Sequence, residues 1–370
     1  MTVCDLYFDT ESDEKNKVVE TMDTVFQAAI AGYGKSAKNF HLPLLKLHRG
    51  FKLRSVYLPS SSTTRVDEKG VMVVRSLKEL LKDDKVDIVI ITSPNRIHFE
   101  QAKEALSADK HVVVEKPVAV SSDEAEELIR LAEIKQKILT VFHNRRGDAD
   151  FLTLKKTLND GALGELVEIK STFHRHRREL RDGHWKESSE PGSGILYDLS
   201  PHLIDQSLIL FGKPNAVYAD IKNQRGGDTD DSFDIKLYYD RPTKLEVTLS
   251  AGMLVADPVP RFIARGAEAS LVIDGKDAQE SALTNGQSLT PELLKELAKQ
   301  QQAFLYQGDN AKRKPVEIVP GKYPQFYDDL YHSITKKWEP PVKPETAKRG
   351  LEIVEAAIKS SKSGKRVKLD

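Results

Sequence analysis

The stretch "TVFQAAIAGYGKSAKNFHLPLL", residues 24–45, passes from an apolar strand pattern through a glycine turn into a helical pattern. Gly32-x-Gly34-x-x-Ala37 sits at the junction. In such a unit the first glycine permits the tight turn, the second lets backbone approach a pyrophosphate, and a small third residue lets the helix pack close to the strand. The helix N-terminus, with its unpaired N–H groups, then faces the phosphates. Gly32, Gly34 and Ala37 therefore predict a dinucleotide-binding crossover.

The same alternation continues downstream. Strand patterns at 51–58, 87–94, 110–117 and 138–144 are separated by helical patterns at 76–86, 98–109 and 121–137, the last capped by Ser121 or Ser122. Short apolar runs alternating with helices predict a doubly wound, mostly parallel α/β unit over 24–145. Beyond it the texture changes. The segments "GELVEIKSTFHRHR", "AVYADIKNQ", "DSFDIKLYY", "KLEVTLSAGML" and "RFIARGAEASLVI" are strand-like and predict one large, mostly antiparallel open sheet in an α+β domain spanning 146–370. Residues 275–322 read as irregular with one short helix, "PELLKELAKQQQAFL", and a helix over 344–364 closes the fold.

The end of the second strand bears on the choice of dinucleotide. An acid about 20 residues past the glycines would take the ribose hydroxyls of NAD. Here the chain reads "YLPSSSTTR", with Ser60, Ser61 and Arg65 and no acid. Small hydroxyls beside a cation suit a 2′-phosphate, so NADP is favoured over NAD.

Bulk properties narrow the function further. In 370 residues, 56 Lys and Arg balance 56 Asp and Glu, so no global field draws the chain to nucleic acid or an anionic membrane. With one cysteine, Cys4, and no long apolar run, a reducing, cytoplasmic setting is expected. The first 23 residues carry seven acids against two lysines and read as a solvated arm. The C-terminal "GKRVKLD" looks like a basic nuclear-import signal but is expected to pack on the fold.

"GILYDLSPHLIDQSLILFG", residues 194–212, is apolar enough to be a buried helix, yet holds Asp198, His202 and Asp205. At 100° per residue these fall within an arc of about 60°. Burying ionisable groups is costly unless they are paired or border a wet cavity, so this wedge faces a polar network or a site. Pro201 leaves two arrangements open: one continuous helix, or a helix starting at 201 with Ser200 as cap and Asp198 in the preceding turn. A metal is not expected, since no fourth ligand is evident.

"VVVEKPVAV" places Glu115, Lys116 and Pro117 at the carboxyl end of a buried strand, where open α/β sheets bind ligands. Together with "SPNRIH" (93–98), "FHNRR" (142–146) and "YDLSPH" (197–202), in that order, the chain resembles the Gfo/Idh/MocA oxidoreductases over residues 24–365, and most of all their NADP-dependent scyllo-inositol dehydrogenase branch. The resemblance implies that Pro94, Asn95, His98, Glu115 and Lys116 border the cofactor. It also implies that Lys116 and His202 relay the proton of a substrate hydroxyl with Asp198 as neighbour, and that Asn144, Arg146 and Arg175 line the substrate side. The implied activity is hydride transfer between nicotinamide and a carbinol or carbonyl carbon of a sugar, inositol or related polyol. A homodimer or homotetramer, built on the open sheet, is implied too. Two other outcomes fit the same fold: a catalytically silent, dinucleotide-sensing transcriptional regulator, and a reductase or dehydrogenase of the trans-dihydrodiol or biliverdin type.

Overall fold

The computed structural model describes residues 24–240, 244–308 and 311–369; the acidic arm expected over 1–23 lies outside the described residues. The first layer follows the expected alternation: β1 (Phe26–Ala31), α1 (Leu42–Leu47), β2 (Phe51–Tyr57), β3 (Met72–Val74), α2 (Leu77–Leu81), β4 (Ile88–Ile91), α3 (His98–Ser107), β5 (His111–Val114), α4 (Ser122–Lys135) and β6 (Leu139–Val141). All six strands are parallel, in the order β3-β2-β1-β4-β5-β6. Residues 88–91, "IVII", and 112–114, "VVV", are buried on both faces, as continuous apolar strands beneath two helical layers must be. Ser121 caps α4 by accepting from the Glu124 N–H. The order reverses between β1 and β4, which opens a crevice at their carboxyl ends.

The second part runs α5 (Ala149–Asn159), β7 (Leu166–Thr172), α6 (Gly194–Phe211), β8 (Ala216–Lys222), β9 (Ser232–Tyr239), β10 (Leu245–Gly252), β11 (Phe262–Gly266) and β12 (Ala269–Asp274). It continues through α7 (Gln279–Thr284), α8 (Pro291–Ala298), β13 (Gln302–Gln307), β14 (Lys312–Val316), α9 (Gln325–Lys336), α10 (Pro344–Ser363) and β15 (Val367–Lys368). Nine strands form one sheet, β14-β13-β12-β11-β7-β10-β9-β8-β15, in which only β7 and β10 run parallel. The basic C-terminal stretch does pack on the fold: Val367 pairs with Val217 as an edge strand.

Two expectations need correction, and one open alternative is decided. Residues 302–305, read as the tail of a helix, belong to β13, because the helix stops at Ala298 and β13 pairs along the whole of β12. Residues 275–322 are not irregular but carry two helices and a hairpin. Pro201 does not start a helix: α6 is continuous from Gly194, since Asp230 already satisfies its first donors through Ile195 N (3.1 Å, to the carbonyl) and Leu196 N (2.7 Å, to the carboxylate). Ser200 Oγ is buried without a partner and caps nothing.

The two sheets are fastened by C-terminal elements. The core around the parallel sheet includes Tyr323, Phe326, Tyr327, Leu330 and Tyr331, so α9 and the turn before it pack on the first layer, not the second. Helix α10 packs on both α4 and α6, and its Glu355 accepts from Ser122 N and Oγ at 2.7 and 2.8 Å.

Candidate active site

Three loops meet at the crevice. The first follows β1. Gly32 has φ +95° and a Cβ there would come within 3.2 Å of the Thr92–Ser93 backbone, so this position requires glycine. A Cβ on Gly34 would meet no heavy atom within 4 Å, which leaves open space above that turn, and Ala37 is fully buried against the sheet. An open glycine surface followed by a helical turn is what a dinucleotide pyrophosphate needs. Ser60, Ser61 and Arg65 lie exposed in the loop after β2.

The second loop follows β4. Pro94 is half-buried, and Asn95 is buried and donates to the Gly192 carbonyl at 2.8 Å, which ties this loop to the approach of α6. His98 is fully buried, with Nδ1 2.7 Å from the Pro117 carbonyl and Nε2 2.8 Å from that of Ser93. It reaches no open surface and braces the turn that carries Lys116.

The third loop follows β5. Glu115 takes a short hydrogen bond from Ser36 Oγ and lies 3.2 Å from His41 Nε2, while His41 Nδ1 meets Tyr327 Oη at 2.8 Å. Burial would raise the Glu115 carboxyl, but His41, Ser36 and Lys116 hold it down at about 2. This ionised carboxylate joins the glycine-turn helix, α9 and the Lys116 turn in one network. Lys116 itself, 12% exposed, donates from Nζ to the Asp198 carbonyl (2.6 Å) and to Oδ1 (3.2 Å). Pro201 has no N–H, so the Tyr197 carbonyl loses its helical partner, and the adjacent carbonyl is the one that Lys116 reaches.

Helix α6 faces this lysine with Asp198 and, one turn on, His202. Asp198 Oδ1 also accepts from Lys186 Nζ at 2.6 Å, and Arg175 Nη1 stands 3.7 Å from Oδ2. Burial opposes the charge, yet Lys116, Lys186 and Arg175 hold the Asp198 carboxyl well below the usual carboxylate range. Burial, with Lys116, Arg145 and His143 nearby, pushes His202 well below the ordinary imidazole value, so the ring is neutral. Its Nδ1 is buried without a partner. Burial likewise lowers Lys116, against the pull of Asp198. The result is a lysine fixed on a carboxylate with a neutral imidazole one helical turn beyond that acid, a set able to take up or deliver a hydroxyl proton.

The third member of the wedge plays another part. Asp205 is gripped by Arg146 in a forked pair (2.8 and 2.6 Å) with His143 Nδ1 3.9 Å away. Arg146, expected on the substrate side, thus commits two donors to a buried acid, while Asn144 is half-buried at the same corner. Lys186, His143, His41 and Ser36 were not singled out in the sequence. Lys186 follows Trp185 in a loop without periodicity, and His41 sits in an apolar helix that gives no sign of Glu115, 74 residues away.

Known proteins share this arrangement of chain. Residues 26–143 match the family model for the NAD-binding Rossmann fold of the oxidoreductase family GFO_IDH_MocA, and residues 155–369 match the model for its C-terminal alpha/beta domain. The chain belongs to the Gfo/Idh/MocA oxidoreductase family. Among its Gfo/Idh/MocA relatives, the oxidoreductase YdgJ of Escherichia coli K12 is 37% identical over 92% of this chain and 98% of its own length. The scyllo-inositol 2-dehydrogenase (NADP(+)) IolW of Bacillus subtilis is 34% identical over 94% of this chain and 97% of its own. Of solved Gfo/Idh/MocA-like structures, the Yersinia pestis protein YPO2259 superposes with a TM-score of 0.87 at 35% identity, covering 94% of this chain and 98% of that one. Among the described residues no helix is long and apolar enough to cross a membrane, and no cluster of His, Cys, Asp and Glu could hold a metal ion.

Proposed function

We propose that this oxidoreductase uses NADP to oxidise a carbinol, or reduce the matching carbonyl, of a sugar, inositol or related polyol. The observation that carries the reading is Lys116 Nζ, just past the carboxyl end of β5, held on Asp198 with a neutral, buried His202 one helical turn on. The nicotinamide, when bound, supplies the hydride chemistry. The chain does the rest. Gly32, Gly34 and Ala37 leave room for the pyrophosphate, and Ser60, Ser61 and Arg65 offer hydroxyls and a cation where a 2′-phosphate would lie. Asn95 and Glu115 fix the surrounding loops by their bonds to Gly192 and to His41.

In the oxidation direction the substrate hydroxyl gives up its proton as hydride leaves the same carbon. Neutral His202 accepts that proton, because its lowered basicity keeps the ring unprotonated at neutral pH. Lys116, cationic through its bond to Asp198, donates to the same oxygen and steadies the negative charge that develops there. In the reverse direction protonated His202 returns its proton to the carbonyl oxygen as hydride arrives at the carbon, while Lys116 again donates to that oxygen. Asp198 does not titrate; it fixes Lys116 in place. The similarity to a scyllo-inositol 2-dehydrogenase that uses NADP(+) supports both the cofactor and the substrate class.

Replacing Lys116 by Met tests the assignment. NADPH binding, read by nicotinamide fluorescence, is expected to remain while kcat drops by about 10²–10⁴-fold, the usual worth of a positioned proton-transfer group. A variant that retains wild-type kcat would remove Lys116 from the chemistry.

A further inference from the structure

On the side of the cleft formed by the second sheet, the charges do not cancel. Phe173, just past the end of β7, has four cations around its ring: Arg145 at 4.5 Å, Lys276 at 5.2 Å, Arg261 at 5.4 Å and Arg175 at 5.6 Å from the centroid. Two of them are answered. Arg145 pairs with Asp148 (3.2 Å) and Glu280 (2.8 Å), and Arg261 bonds Ser171 and Gln206 with Asp150 3.9 Å away.

The other two are not. Arg175 makes no side-chain hydrogen bond among the described residues, and its nearest acid is Asp198, which already serves Lys116 and Lys186. Lys276, exposed at the rim, bonds only the His174 carbonyl, at 2.9 Å. Desolvation and the Arg175, Arg145 and Arg261 guanidiniums lower its basicity, the mark of a cation crowded by like charge. Glu280, which acts against that shift, is bonded to Arg145. So Lys116, Lys186 and Arg175 share the single carboxylate of Asp198, and Lys276 adds a further cation beside Arg175 at the Phe173 ring. An oxidised nicotinamide would add a further positive charge, and the phosphates of a dinucleotide would be held at the glycine turn, not here. Hydroxyl groups alone would leave this excess unanswered, whereas one anionic group would meet a planar five-donor fork and an ammonium together.

We infer that the substrate carries an anionic group, a carboxylate or a phosphate ester, seated between Arg175 and Lys276 while its carbinol meets Lys116 and His202. This rests on the oxidoreductase reading above and narrows its substrate class from neutral polyols to sugar acids or sugar phosphates. Lys276 then decides specificity without touching the reacting carbon.

The test uses the full chain saturated with NADP⁺ and matched sets of a neutral hexose, its hexuronic acid and its 6-phosphate, with myo-inositol and its monophosphate as a further pair. Calorimetric Kd and turnover at 340 nm are read for each. In any set that binds, the charged member is expected to bind about tenfold or more tightly than its neutral partner. That preference should shrink at high salt and fall several-fold in Lys276→Met, a change at an exposed side chain that the fold tolerates. The winning member tells carboxylate from phosphate. Equal or better binding of neutral members, or a preference that survives in both Lys276→Met and Arg175→Met, would overturn the inference. Turnover of neutral polyols with no binding of charged ones would overturn it while leaving the oxidoreductase reading intact. Binding of charged members without hydride transfer in any set would uphold the anion seat and count against that reading instead.

Discussion

The chemistry of this site depends on how one lysine and one aspartate divide the cost of burial. A desolvated lysine loses basicity and a desolvated acid gains it, and either alone would neutralise. With Lys116 Nζ 3.2 Å from the Asp198 carboxylate, each favours the charged form of the other, and Lys186 and Arg175 tip the balance further toward an ionised Asp198. Asp205 and Arg146 repeat the arrangement away from the chemistry: the acid is 4% exposed and the arginine 25%. Removing one partner of such a pair strands a buried charge, so Arg146→Met is expected to cost about 3–5 kcal/mol of stability. A urea unfolding midpoint unchanged from wild type would refute this. Much of the residue-level site was visible in the sequence. Lys116 stood out because nothing in an apolar strand calls for a lysine before Pro117, and Asp198 and His202 because they interrupt an apolar helix. Lys186, His143 and Lys276 were not visible, since each acquires meaning only from a neighbour distant in the chain: 12 residues for Lys186 with Asp198, 62 for His143 with Asp205, 102 for Lys276 with His174.

At the scale of elements, strands were read more securely than their limits. The runs "IVII" and "VVV" could be little other than buried parallel strands, and every strand of the first sheet but β3 was anticipated. β3, "MVV", is three residues at an edge, mostly exposed, and too short to show a period. Helix α9 escaped for a different reason. Its buried face, Phe326, Tyr327, Leu330 and Tyr331, has helical spacing, but its partner is the first sheet, some 300 residues earlier in the chain. The tail of α8 was misread because "QQAFLYQ" suits a helix locally and a strand only once β12 lies beside it. The glycine turn gives the sharpest test at this scale. Gly34 faces open space, so Gly34→Val should fold with an unchanged melting temperature in the absence of cofactor, while NADPH binding weakens about tenfold or more as the side chain fills the space a pyrophosphate would use. Unimpaired NADPH binding would place the dinucleotide elsewhere.

Across the whole molecule, the cleft exists because C-terminal elements hold two sheets in register. Helix α10 packs on α6 and is fastened to α4 through Glu355 and Ser122 and through Lys348 and Glu126 (2.8 Å), and Tyr327 of α9 reaches His41 beneath the glycine turn. Asp198 and His202 therefore meet Lys116 through contacts made by residues 323–355, far from all three in the chain. The central claim is that this meeting creates a polyol-oxidising centre that takes NADP. It is tested most directly by titrating the full chain with NADPH and NADH, followed by hydride transfer at 340 nm across inositols, aldoses, ketoses and their acid and phosphate derivatives. The account predicts tighter binding of NADPH than of NADH and turnover of at least one hydroxylated substrate. Tight NADPH binding with no turnover across the panel would contradict it and leave a dinucleotide-binding protein that catalyses nothing on these substrates.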